Sequence, residues 1–346
     1  MPSDPPSRRE WLAAVVSATP LATATTTTAA AHAAAHAAPA APSQTAAPPA
    51  DPEPTRSRPG FGFCLNTSTV RDKDGKSRPI RELVDLAARA GYDAIEPWAS
   101  EIAEYLQTGG TLKELRKRIE GAGLKVADLI GFAEWLVEDP TRRRKGLETA
   151  KRDMGWAAEL GCPRIAAPPV GATGGRSPRD DPKHTAPVTD LLVAAERYHD
   201  LFEVGRAAGV TPLVEIWGFS RTLRRLGEAL CVAAESGVAG AAVLPDIYHL
   251  YKGGSGFSSL GLLSATAIGI FHVNDYPMID PDTITDADRV YPGDGVAPLR
   301  DVFAALRAMN YRGFVSLELF NRGYWKQDPL EVAKTGLAKL KAAAGL

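Results

Sequence analysis

From Gly60 onward the chain alternates short apolar runs with longer helical patterns, and it does so eight times. The apolar runs fall at 62–66, 93–96, 125–130, 164–168, 211–215, 242–246, 269–274 and 314–318. Runs this short and this apolar suit parallel strands covered on both faces. Helical patterns lie between them at 79–90, 112–122, 142–160, a fourth ending at Ala208, 223–236, 299–309 and 329–343, with a short helix at 261–267. Gly91, Gly123, Gly161, Gly209, Gly269 and Gly313 precede strands, which fits helix ends closed by a left-handed residue. Eight such units predict an α/β fold, a single (β/α)₈ TIM barrel, rather than an open doubly wound sheet. No strand is followed by G-x-G-x-x-G. The glycines at 171–175 lack both dinucleotide and P-loop spacing, so 171–187 reads as a flexible loop.

The front of the chain has a different composition. Residues 11–50 contain no Asp, Glu, Lys or Arg, and all 40 basic and 41 acidic residues lie elsewhere. A polar start, a weakly apolar stretch from Leu12 to Ala24 and an Ala-rich end make the layout of an export signal. Arg8-Arg9 ahead of Trp11-Leu12 resembles a twin-arginine signal. The expected organisation is a signal over 1–40, a Pro/Ala-rich linker over 41–59 and a barrel over 60–346. That layout implies a periplasmic protein with the twin-arginine export machinery as a partner. Pro20, Thr25–Thr28 and Pro39 break any apolar run long enough to cross a membrane. A net charge of −1 argues against a nucleic-acid-binding face. Cys64, Cys162 and Cys231 are odd in number and widely spaced, which suits buried thiols rather than disulfides.

Polar residues collect at the carboxyl ends of the last four strands. Strand five ends Leu213-Val214-Glu215, strand six Leu244-Pro245-Asp246, strand seven Phe271-His272-Val273-Asn274-Asp275, and strand eight Ser316-Leu317-Glu318. In a barrel these ends form the active-site face. One such carboxylate is ordinarily paired or capped; four ionisable groups in series call for a common reason. Three carboxylates with no Lys or Arg on the same strand ends repel unless a cation compensates them. Three carboxylates and an imidazole suit one divalent metal ion. Mn²⁺ or Mg²⁺ is favoured by the oxygen ligands, with Fe²⁺, Co²⁺ or Zn²⁺ compatible.

Glu215, Asp246, His272 and Glu318 lie in the motifs V-E-I-W (214–217), P-D-I-Y-H (245–249), F-H-V-N-D (271–275) and S-L-E-L (316–319). They resemble the metal set of the xylose-isomerase-like barrels, the sugar phosphate isomerase/epimerase superfamily, over residues 60–343. The resemblance implies a Mn²⁺-type enzyme that works through an enediolate, with Glu215 and Glu318 as the acid/base pair. Epimerisation, aldose–ketose isomerisation and dehydration all follow from that intermediate. It also implies that His249, three residues after Asp246, contacts a substrate oxygen. The expected substrate contacts are His249, Glu96, Trp217, Asp275 and Asn66, with Glu134 at the pocket mouth. Trp98, Trp135, Tyr248 and Trp325 are further candidates for stacking. The superfamily often carries an arginine shortly after the strand-seven histidine. Here Tyr276-Pro277-Met278 fills that stretch and the nearest is Arg289; Lys252, Arg322 and Lys326 are substitutes. Export favours a free sugar or sugar derivative over a sugar phosphate. The alternatives are a lyase on keto-sugars, inososes or 3-keto-glycosides, and a non-catalytic carbohydrate-binding barrel. A multi-histidine phosphoesterase is disfavoured, because only four of the six histidines lie outside the leader. Homo-oligomerisation stays open.

Overall fold

The computed structural model describes residues 60–172 and 188–346. The expected signal, the linker and residues 173–187 of the expected loop lie outside the described residues. Eight strands follow one another: β1 Gly62–Asn66, β2 Ala94–Glu96, β3 Lys125–Val126, β4 Arg164–Ala167, β5 Thr211–Glu215, β6 Ala242–Leu244, β7 Phe271–Val273 and β8 Phe314–Leu317. Every strand pair is parallel. The ladders form two arcs, β3-β2-β1-β8-β7 and β4-β5-β6. Isolated bridges close them into a ring: Ile130 with Ala166 on one side, Val243 with Ile268 and Asp246 with His272 on the other. The barrel read from the sequence is the fold observed.

The helices of the described residues are α1 Ile80–Ala90, α2 Ala99–Gln107, α3 Leu112–Gly121, α4 Pro140–Glu159, α5 Leu191–Ala208, α6 Leu226–Glu235, α7 Ile247–Gly253, α8 Leu299–Ala308 and α9 Pro329–Ala343. Their boundaries have local causes. In α1, Ile80, Leu83, Val84 and Ala87 bury one face, and Gly91 ends the helix at φ 89°. Asp190 caps α5 by accepting from the amides of Leu192 and Val193. Two expectations change. The helix expected at 261–267 is a pair of 3₁₀ turns, Phe257–Leu262 and Ala265–Ala267, and the true helix after β6 is α7. The third strand is shorter than expected, with only a bridge at Ile130 beyond Val126.

Strand alternation positions the chemistry. Phe63, Leu65, Ile95, Val214, Val243, Phe271, Val273, Val315 and Leu317 join the core shared with the helices. The residues between them point into the ring, where Cys64, Ala94, Leu213, Leu244 and Ile270 form a separate small core. Two residues further along the same parity stand Asn66, Glu96, Glu215, Asp246 and His272. Ser316 and Glu318 hold the same relation on β8. The polar layer is therefore the next inward-facing layer above an apolar plug.

Candidate metal and acid–base site

Asp246, His272 and Glu318 converge. Each offers a ligand atom, and the three atoms lie within 4.8 Å of one another. Asp246 reaches this position as the N-cap of α7, where Oδ1 accepts from the His249 amide at 2.8 Å. Asn274 Nδ2 donates to its other oxygen at 2.9 Å. His272 Nε2 lies 2.9 Å from Glu96 Oε1. Its Nδ1 lies 3.2 Å from Glu318 Oε2 and 3.7 Å from Asp246 Oδ2, without hydrogen-bond geometry to either. Glu215 stands beside this trio rather than in it. Trp217 Nε1 donates to its Oε1 at 3.0 Å, and its buried Oε2 has no hydrogen-bond partner.

These orphaned atoms test whether a divalent cation suits the site. His272 Nδ1 and Glu215 Oε2 are buried polar atoms with no hydrogen-bond partner, and two carboxylates flank them. Glu96 fixes the far side of the imidazole, as carboxylates do behind metal-bound histidines. The residues fit a divalent ion held by Asp246, His272 and Glu318, with Glu215 adjacent.

The site also contains a cation of its own. Arg289 is 1% exposed. Its Nη1 donates to Asp246 Oδ2 at 3.0 Å and to Glu318 Oε2 at 2.8 Å, and its Nη2 donates to Asp286 Oδ1 at 2.6 Å. The same Nη2 lies 3.1 Å from His249 Nε2, while the Gly218 amide donates to His249 Nδ1. Charge compensation is thus shared between this guanidinium and any bound metal. The strand ends themselves carry no Lys or Arg, as expected; the arginine that enters the cluster comes from a loop. No strand signal marks it. Asp275 and Val290 form an antiparallel bridge that folds the loop back, so a residue 17 positions past His272 lands over β6 and β8.

The two glutamates are driven apart in proton affinity. Burial, reinforced by the Glu318 charge, pushes Glu215 up to about 8. Burial also opposes ionisation of Glu318, but His272 and Arg289 overcome it and hold that carboxyl well below its usual range. Burial works against charge on His272, yet Glu96 and Glu318 raise its pKa well above the ordinary value. Burial pushes Asp246 up to about 6, with Arg289 pulling the other way. Burial and then Arg289 lower His249 well below the ordinary imidazole value, so it stays neutral.

A cavity of about 560 Å³ opens onto this cluster, touching Glu215, His249, Arg289 and Glu318. Aromatic rings wall it: Trp98 lies 6.1 Å from Phe320 and 5.0 Å from Phe132, and Trp217 lies 6.2 Å from Phe132 and 5.0 Å from Phe219. Of the expected contacts, His249 and Trp217 line the cavity. Glu96 and Asn66 do not. Both are wholly buried, with Asn66 Nδ2 donating to Glu96 and Glu318, so they support the site from beneath. Asp275 is likewise corrected from a substrate contact to a loop anchor: its oxygens accept from the amides of Tyr276, Gly293, Gly295 and Ala297. Glu134 pairs with Arg142 away from the cavity. Lys252 Nζ donates to the Pro281 and Ile284 carbonyls, while Arg322 and Lys326 are exposed. Trp135 is buried and bonded to the Pro168 carbonyl, and Tyr248 lies under Arg289. Sequence reasoning missed Arg289, Arg71, Phe132, Phe219 and Phe320. The aromatic ones follow strand ends and were findable there; the arginines carry no periodic signal.

An eight-stranded parallel barrel with a carboxylate–histidine cluster at its carboxyl-end face defines a metal-binding α/β-barrel. Residues 84–343 match the xylose isomerase-like TIM barrel family, and the chain belongs to it. It is 26% identical over 275 residues to an inosose isomerase of Halalkalibacterium halodurans, covering 79% of this chain and 93% of that protein. It is 23% identical to a 3-dehydroshikimate dehydratase of Pseudomonas aeruginosa, covering 76% of this chain but 40% of that longer protein. Among solved structures, an IolI protein with a bound zinc atom superposes with a TM-score of 0.73 at 21% identity, covering 82% of this chain and 98% of the other.

Proposed function

We propose that this protein is a divalent-metal-dependent isomerase or epimerase of sugars or cyclic polyols bearing a ketone, working through an enediolate. The observation that carries the reading is the opposed pair Glu215 and Glu318 at one cavity wall. One carboxyl is biased toward holding its proton and the other toward losing it, the condition for an acid and a base on a single substrate. A bound divalent cation supplies Lewis-acid polarisation of the substrate carbonyl. Glu318 takes the proton from the carbon beside that carbonyl. Glu215, whose Oε2 is free of other bonds, returns one. His249 faces the substrate oxygens, Arg289 holds the Glu318 and Asp246 carboxylates in place, and the ring of Trp217 packs on the sugar face. The inosose isomerase similarity supports this outcome, and the oxygen-rich donor set favours Mn²⁺.

A lyase reading has its own support in the dehydratase similarity. Proton abstraction is common to both; loss of a β-hydroxyl or aglycone from the enediolate separates them. Incubation with ketoses, inososes and 3-keto-glycosides in D₂O, followed by NMR, decides. Deuterium at carbon with the formula unchanged is the expected result, and loss of water or an aglycone assigns a lyase. Glu215→Gln and Glu318→Gln should each abolish the exchange. Exchange that persists in both variants, or in fully metal-free protein, would overturn the mechanism. Binding without any exchange would assign a carbohydrate-binding barrel.

We also propose export by the twin-arginine route, supported by Arg8-Arg9 and the uncharged stretch after them. Replacing both arginines with lysine should retain the protein in the cytoplasm on fractionation of a bacterial host; unchanged export would refute it.

A further inference from the structure

Three arginines line the cavity: Arg71, Arg152 and Arg289. Two have acidic partners. Arg289 is bonded to Asp246, Asp286 and Glu318, and Arg152 donates to Asp153 through Nε at 2.9 Å and Nη2 at 2.7 Å. Arg71 differs. Among the described residues it makes no salt bridge, its hydrogen bond is a long 3.5 Å contact from Nη1 to the Gly75 carbonyl, and its Nε is buried without a partner.

The side chain is nevertheless held in place. Its guanidinium carbon lies 4.5 Å over the Trp98 ring, 5.6 Å from Phe320 and 5.9 Å from Trp325. Trp98 is tied by Nε1 to Asn66 Oδ1 at 3.2 Å, and Trp325 by Nε1 to the Ser68 carbonyl at 2.9 Å. Ring faces attract the charge but accept few of its five N–H groups. Glu101 and Glu318 favour its charge through space but neither forms an ion pair with it, so its N–H groups face the cavity wall with few acceptors until a ligand brings them. Its location relative to the chemistry is set by Phe320, whose ring lies 5.0 Å from Arg289 and 5.6 Å from Arg71. Arg71 and the guanidinium that grips Glu318 thus share Phe320 as a common neighbour at the cavity wall.

We propose that the substrate carries a carboxylate and that Arg71 binds it, making the substrate an acidic sugar or cyclic keto-acid of the uronic type. This rests on the proposed function and names its substrate class. A carboxylate fits better than a phosphate. The guanidinium fork matches either group, but a phosphate's second charge calls for further donors or a second cation. Here the nearest cations, Arg152 and Arg289, are already committed to acids.

The test uses the full chain in Mn²⁺-containing, low-salt buffer and reads tryptophan fluorescence, to which Trp98 beside Arg71 contributes. The probes are D-glucuronate, D-glucose and D-glucose 6-phosphate. D-Glucuronate should bind about tenfold tighter than either of the others. In Arg71→Gln the glucuronate-to-glucose ratio should fall to near one, and Arg71→Lys, which keeps charge without the fork, should fall between. Circular dichroism and thermal unfolding verify that the variants fold. A wild-type ratio near one, or a ratio that survives Arg71→Gln, overturns the proposal, as does absence of binding by all three probes. An Arg71-dependent preference for glucose 6-phosphate overturns the carboxylate assignment. The ratio is read from binding alone, so it can fail while Glu318-dependent deuterium exchange on neutral ketoses succeeds, and the reverse.

Discussion

Glu215 shows how one buried side chain couples chemistry to stability. In the unfolded chain its carboxyl titrates near 4.5; in the metal-free fold, burial and Glu318 raise it to about 8. Its folded pKa lies above its unfolded one. The stability contributed by the protonated form is therefore fully present below pH 4.5 and is lost as pH rises through about 8. The loss across that window is on the order of 5 kcal/mol. Chelator-treated protein, unfolded in urea at pH 5 and pH 9, should show that decline, and Glu215→Gln should flatten it. Equal pH dependence in the two proteins would mean Glu215 is ionised in the fold. The strand-end acids were legible in the sequence because period-two alternation fixes which residues face inward, and an acid on that parity is conspicuous among Leu, Ala and Cys.

At the scale of elements, the segment between β7 and α8 brings Arg289 into the site. It is fastened at several points. Asp275 receives four amides, Lys252 caps two carbonyls, and Tyr251 Oη donates to the Ile279 carbonyl at 2.6 Å. None of these bonds has a sequence period, so from the sequence Asp275 and Lys252 read as ligand contacts rather than as anchors of the segment. The same applies to Glu96 and Asn66, whose strand parity is plain but whose depth beneath His272 is a property of the assembled ring. Asp275→Ala would strand up to four amides. It should cost about 2–4 kcal/mol in urea unfolding and weaken metal binding through a misplaced Arg289. A stability loss below 1 kcal/mol would show that water replaces the carboxylate.

The barrel of the described residues is two arcs of strands joined at two seams of isolated bridges. One seam runs between β6 and β7 and is marked by the pair Asp246 and His272. Asp246 belongs to the three-stranded side, His272 and Glu318 to the five-stranded side. A cation held by this trio ties the arcs together where backbone pairing is thinnest. Hydrogen exchange in the metal-free protein should be fastest among the strands near the seams. Adding Mn²⁺ should protect 242–246 and 268–275 more than β1 or β4. Uniform protection around the ring would show that the ion acts on global stability only.

That arrangement gives the inward bridge between Asp246 and His272 a second meaning. The residues suited to catalysis are also the clasp of the ring, so a molecule that loses its ion would loosen at its own active face. Empty copies would then present their β6–β7 edge to proteases first, and turnover of the protein would select for the loaded form.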